Sequence, residues 1–167
     1  MTDRLLDRLR IAEARLVAHS EAGLPPGLTD PDPGASERWE AGQVWAHLAE
    51  FPPFWLAQIR AVLAAAAGGT PEPIPFGRTK ADPERIAAIE RDRRTVPAEL
   101  LRRVRAGIAE VAQALGELPE GAWAVRGSHS IRGEMPVERI TEQFLVEHLE
   151  EHADQLDALR ADQPTDP

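Results

Sequence analysis

Two histidines, His148 and His152, stand four residues apart in the C-terminal part of the chain, and a third, His47, lies far upstream. A helix sets positions i and i+4 one above the other on the same face, so this pair can aim both imidazoles at one point. A third imidazole from another helix would complete a facial set of nitrogen ligands for a divalent metal and leave positions open for water or substrate. Three imidazoles accept Zn, Ni, Fe, Mn or Co, and the spacing alone does not choose among them. The segment His148-Leu149-Glu150-Glu151-His152 is not the zinc-peptidase motif, because Leu149 occupies the position where that motif carries its catalytic Glu. Of the five histidines, two remain. His19 reads as a helix-end residue facing the negative end of the dipole, and His129, between Ser128 and Ser130, reads as a solvated loop residue.

Composition limits the chemistry further. The 167 residues contain no cysteine, so disulfides, thiolate ligands and a cysteine nucleophile are excluded, and any thiol must come from outside the chain. The N-terminal MTDRLLDRLR alternates charge with leucine, unlike a secretory signal, and the longest apolar run, Ala61 to Ala67, is too short to span a bilayer. These readings predict a cytoplasmic protein with no membrane partner. Net charge is −9, and from Glu134 onward ten acidic residues face only Arg139 and Arg160. The basic cluster Arg91, Arg93, Arg94, Arg102, Arg103 and Arg105 has no aromatic interleaved, so the expectation is no nucleic-acid partner.

The elements that must position the histidines are helices, since Leu, Ala, Glu, Arg and Gln dominate and no segment sustains period-two alternation. The expectation is an all-α four-helix bundle with long connecting loops over residues 1–163, followed by a polar tail, 164–167. Helix one runs from Asp3 to about Ser20, with Leu5, Leu9, Ala12 and Leu16 on one face. Helix two starts near Ser36 or Glu37 and ends at Ala67, with Val44, His47, Leu48, Phe51, Trp55, Ile59 and Val62 inward. Pro52 and Pro53 interrupt its hydrogen bonding and predict a kink one turn after His47. Asp82-Pro83 opens a short helix to about Arg94. Thr95 caps a longer one carrying Leu100, Val104, Ile108, Val111, Leu115 and Leu118. Gly23–Gly34, Gly68–Arg78 and Leu118–Glu134 read as loops. Pro136 opens the last helix, which ends near Ala161. Counting at the helical period from Val137 places Ile140, Phe144, His148, His152, Gln155 and Leu159 on one side, and Glu138, Glu142, Glu150, Asp154 and Asp157 elsewhere. His47 occupies the matching inner face of helix two. A buried polar group without a partner costs roughly 1–3 kcal/mol, and a shared metal satisfies several at once.

Two segments resemble the DinB/YfiT-like superfamily. Trp39–Trp55 (WEAGQVWAHLAEFPPFW) is similar to its second-helix signature, W-x-x-x-x-V-x-x-H-L followed by an aromatic residue. Gly133–Leu159 (GEMPVERITEQFLVEHLEEHADQLDAL) is similar to its closing signature, a Gly, a turn and then H-x-x-x-H-x-x-Q. The Thr95–Leu118 helix and Trp123 extend the resemblance over nearly the whole chain, and the Pro52-Pro53 pair departs from it. The resemblance implies a four-helix bundle with a divalent metal held by His47, His148 and His152. It also implies activities such as thiol transfer from bacillithiol, mycothiol or glutathione, and mycothiol-dependent maleylpyruvate isomerisation.

The functional expectation is therefore a divalent-metal-dependent S-transferase in which a low-molecular-weight thiol, as cosubstrate, attacks an electrophilic small molecule. A metal-dependent hydrolase with Glu50, Glu147 or Glu151 as base is the alternative within enzymes. A metal-binding or interaction protein without turnover is the alternative outside them. Ala- and Leu-rich helix faces, with the resemblance, imply a homodimer.

Overall fold

The computed structural model describes residues 1–31, 37–69 and 73–161. Four long helices form the bundle: α1 (Thr2–Glu21), α2 (Ala41–Ala67), α4 (Pro97–Glu117) and α5, which runs unbroken through Val137–Thr141, Glu142–Glu147 and His148–Ala161. A shorter helix, α3 (Pro83–Asp92), packs on α2. The architecture is the expected helical bundle. The polar tail at 164–167 and the suggested helix start at Ser36 lie outside the described residues.

Each long helix buries the stripe that its periodicity marks. Leu5, Leu9, Ala12 and Leu16 of α1 meet Val44, Leu48, Phe51, Ile59 and Val62 of α2 and Leu100, Val104, Ile108, Val111 and Leu115 of α4 in one core. α2 runs through Pro52 and Pro53 without ending. Where Pro52 bulges, α4 offers Gly107, at which a Cβ would come within 3.2 Å of the Pro52 ring, so a glycine lets the two helices close. The helix starts differ by a few residues from those read in the sequence. α2 begins at Ala41, with the Glu40 N–H donating to Gln43 Oε1 at 3.1 Å. α4 is capped by Val96, while the Thr95 N–H donates back to Asp92 O at 2.8 Å and closes the end of α3. Asp82 caps α3 as expected, accepting from Arg85 N at 2.8 Å.

Two of the three stretches read as loops, with the two residues that follow the second, hold a small sheet in the order β1–β2–β3: β1 (Pro75–Phe76), β2 (Arg126–His129) and β3 (Gly133–Pro136). β1 pairs in parallel with β2, Phe76 opposite His129, and β2 pairs antiparallel with β3. Strands of two and four residues are too short to show alternation, and backbone pairing rather than side-chain pattern creates them.

The last helix contains a π-helical segment at Glu142–Glu147. Its wider turn inserts one extra residue and advances the buried stripe. Before the segment the core positions are Val137, Ile140 and Thr141. Within and after it they are Leu145, Val146, Leu149, His152, Ala153, Leu156 and Leu159, so of the positions reached by a constant period His152 and Leu159 are buried, whereas Phe144, His148 and Gln155 line a cavity. The displaced residues therefore face a cavity beside the core, which is how one helix supplies both core and site.

Candidate metal centre

α2 and the half of α5 beyond the π-helical segment deliver the three histidines to one point. His47 Nε2 lies 2.9 Å from His148 Nε2, and His152 Nε2 lies 3.2 Å from the same atom. All three offer a ligand atom within 4.8 Å of one another. His47 and His152 are buried, while His148 is partly open to the cavity. Phe51 floors the cluster, with ring centroids 5.2 Å from His47 and 4.7 Å from His148. The Trp39 ring lies parallel to His152 at 5.9 Å.

Every imidazole has a partner one turn ahead on its own helix. His47 Nδ1 donates to Glu50 Oε1 at 2.6 Å, His152 Nδ1 donates to Gln155 Oε1 at 2.7 Å, and His148 Nδ1 faces Glu151 Oε2 at 3.4 Å. With Nδ1 carrying the proton, Nε2 keeps its lone pair, so the cluster presents lone pairs to a shared centre. Bare lone pairs 3 Å apart repel, and a cation between them removes that conflict. The donor set thus fits a divalent metal, with Glu50, Gln155 and Glu151 at Nδ1 fixing tautomer and ring orientation. The i+3 spacing of Glu50, Glu151 and Gln155 from the histidines is the sequence signal for these partners.

Of the three glutamates considered as bases, two are held in ion pairs with arginines and the third faces His148. Glu50 is nearly buried, accepts from Arg78 Nη2 at 2.6 Å and orients His47. Burial pushes its carboxyl up while Arg78 opposes the rise. Glu147 pairs with Arg139 at 2.8 Å, and Glu151 is largely exposed.

Burial, then the neighbouring histidines, drives the His47 pKa well below the ordinary histidine value, and burial followed by His148 does the same to His152. Both are neutral in the native state where the unfolded chain, with histidines near pKa ~6.5, takes up protons. Protons then bind the unfolded state preferentially, so stability falls as pH drops below that value and returns as pH rises through it. Metal-free protein is expected to lose stability, and with it melting temperature, between roughly pH 7 and pH 5, the stability by up to about 1.4 kcal/mol per histidine per pH unit. A melting temperature unchanged over that interval, followed by circular dichroism, would remove the assignment of both histidines as buried neutral bases.

A cavity of about 590 Å³ opens onto the cluster. Trp39, Trp55, Phe144 and His129 line it together with Arg78, Lys80, Arg85 and Arg132. His129 is buried, in contrast to its expected solvation. Its ring stacks on Phe144 at 5.3 Å, and its Nδ1 accepts from the N–H groups of Ile131 (3.2 Å) and Arg132 (3.3 Å). Pairing of β1 with β2 encloses it: at Gly77, where φ is +87°, a Cβ would sit 2.6 Å from the His129 ring. His129 stays apart from the three-histidine cluster. His19, at the end of α1 as expected, is also buried, between Arg160 Nε at 2.9 Å and Asp157 Oδ1 at 2.9 Å.

The family model described as the DinB superfamily matches residues 1–156. The chain belongs to the DinB superfamily. Among curated proteins none matches its sequence. Its fold is similar to that of YfiT from Bacillus subtilis, a probable metal-dependent hydrolase with an unusual four-helix bundle topology. The TM-score is 0.70 at 18% identity, covering 96% of this chain and 86% of that one. A mycothiol-dependent maleylpyruvate isomerase is similar at TM-score 0.64 and 16% identity, with 93% of this chain and 60% of that one covered, so this DinB chain spans less than two thirds of that enzyme. The colibactin self-resistance protein ClbS, solved in complex with dsDNA, is similar at TM-score 0.66 and 10% identity over 97% of this chain and 96% of that one.

That complex overturns the exclusion of nucleic acid, since a protein of the same fold is solved on a duplex. The charge count failed because it followed the sequence rather than the surface. The acids of α5 are met by α1: Glu142 by Arg4 and Arg8 at 2.9 Å, Glu150 by Arg8 at 2.5 Å and Asp154 by Arg15 at 2.6 Å. Much of the linear basic cluster is likewise taken up by Glu13, Glu40, Glu90, Asp92 and Glu99. No helix among the described residues is long and apolar enough to cross a membrane.

Proposed function

We propose that this DinB-superfamily chain is a divalent-metal-dependent enzyme that transfers a low-molecular-weight thiol to an electrophilic small molecule, with His47, His148 and His152 as the metal ligands. The observation that carries the reading is the convergence of three Nε2 atoms at the wall of a cavity large enough for a small molecule. A bound divalent ion would supply Lewis acidity and favour the thiolate form of a thiol at neutral pH. The chain's own groups do the rest. Glu50 and Gln155 hold the Nδ1 protons of His47 and His152, keeping Nε2 directed inward. Phe51, Trp39 and Trp55 exclude water from one side of the site. The thiolate sulfur forms a bond to the electrophilic carbon, and the leaving group departs with the electron pair.

Thiol transfer is favoured over hydrolysis because water attack calls for a base, and Glu50 and Glu147 are paired with Arg78 and Arg139, while Glu151, at the cavity, faces His148 Nδ1. The absence of cysteine agrees with a nucleophile brought by the cosubstrate. Similarity to a mycothiol-dependent enzyme supports the same reading, and similarity to YfiT supports hydrolysis as the second.

Incubation with monochlorobimane and each of glutathione, mycothiol and bacillithiol tests it. Consumption faster than the uncatalysed rate with at least one thiol, lost on chelation and restored by zinc, nickel, iron, manganese or cobalt, is expected. Acceleration that survives full removal of metal would contradict the reading.

A further inference from the structure

The three imidazoles of the cluster are not held alike. Gln155 holds His152 through a neutral amide, and the Glu151 carboxylate lies 3.4 Å from His148 Nδ1 with 68% of its side chain exposed. His47 donates instead to a carboxylate withdrawn from solvent, Glu50 Oε1 at 2.6 Å, on a side chain 11% exposed. That carboxylate is gripped in turn by Arg78, whose Nη2 lies 2.6 Å from Oε1 and 2.6 Å from Oε2. The Arg78 side chain is 9% exposed, and its guanidinium carbon sits 3.9 Å above the centre of the Phe54 ring. Arg78 reaches this point from outside the bundle, directly after β1 and the left-handed turn at Gly77. The Gly77 N–H donates to Gln58 Oε1 at 2.8 Å. His47, Glu50, Phe54 and Gln58 follow one another at helical spacings of three and four residues, so a single stripe of α2 carries the ligand, its carboxylate partner and both anchors of the segment that delivers Arg78.

We propose that Arg78 is a positioning residue of the metal centre, setting the orientation of the His47 imidazole through the Glu50 carboxylate. A carboxylate held at both oxygens by a guanidinium that is itself fixed on an aromatic face cannot turn away from Nδ1, and charge-assisted hydrogen bonds of this kind are the strong ones. A metal-binding imidazole whose other nitrogen donates to a fixed carboxylate is oriented and made a better donor. Arg78 also lines the cavity, so one residue joins the cavity wall to a ligand on α2. The proposal rests on the reading of the three-histidine cluster as a metal site and adds the residue that holds the partner of His47.

Zinc affinity of the full chain, read by competition with a chromophoric chelator, tests it in a cycle of Arg78→Met, Glu50→Gln and the double variant. Arg78→Met, which keeps an apolar chain beside Phe54, weakens zinc about tenfold or more. Arg78→Lys recovers much of that loss, since a single nitrogen makes both contacts to Glu50. The double variant binds no more weakly than Glu50→Gln, because Arg78 has lost its route to His47 once the carboxylate is gone. Circular dichroism follows the fold throughout. Should Arg78→Met fail to fold, Glu50→Gln decides alone, and it too is expected to weaken zinc about tenfold or more. Wild-type affinity in Arg78→Met or in Glu50→Gln, no recovery in Arg78→Lys, or an Arg78→Met loss undiminished in the Glu50→Gln background would each overturn the proposal while leaving the metal reading in place. A wild-type chain that does not bind zinc would remove that reading and the proposal together.

Discussion

Phe51→Ala is expected to destabilise the protein by about 3–5 kcal/mol, the range for truncating a fully buried Phe. The ring has no exposed surface and lies inside α2, between the apolar core and the imidazoles of His47 and His148. Its removal deletes the transfer energy of the ring and leaves a cavity that the helices flanking it cannot close, because Pro52 against Gly107 already fixes how near α2 and α4 come. The same cavity frees two imidazoles to rotate, so metal affinity falls together with stability. Urea unfolding followed by circular dichroism, with a metal titration in parallel, gives both numbers. A loss below about 1 kcal/mol would show that Phe51 packs against nothing rigid and that the histidines are held by their hydrogen bonds alone.

How much of this was legible beforehand depends on the kind of signal. The inner faces of α1, α2 and α4 were readable because each is a long helix whose apolar period holds throughout, and every residue assigned to the inward face of α2 is buried. The histidines were readable for the same reason, together with the motif residues around them. The phase of α5 was not. Nothing in Glu142–Glu147 announces a π-helical turn, so a constant period ran one residue out of step and put Phe144 and Gln155 in the core rather than on the cavity wall. His129 was misjudged because its environment is made at long range, by pairing of β1 with β2 and by the ring of Phe144, and strands of two and four residues leave no pattern to read. In the sequence Arg85 is one more charge on a short helix. Only the packing of α3 on α2 and the approach of Trp39 bury it at the cavity. Charge was the least legible property, since pairing of α1 arginines with α5 acids is a tertiary fact.

The three-histidine assignment is tested most directly by the metal content of His47→Ala. His47 comes from α2 and its partners from α5, so only a shared centre couples its loss to theirs. Wild-type protein loaded with zinc and dialysed against metal-free buffer should retain one equivalent by elemental analysis. Zinc at about a thousand times its dissociation constant should add about 4 kcal/mol of stability through binding to the native state alone. His47→Ala should retain no stoichiometric zinc and lose that stabilisation while its circular dichroism stays helical, and His148→Ala and His152→Ala should behave alike. His129→Ala, which removes a buried ring outside the cluster, should keep its equivalent of zinc. If His47→Ala retains one equivalent with wild-type affinity, the three-ligand centre is wrong and the pair on α5 stands alone.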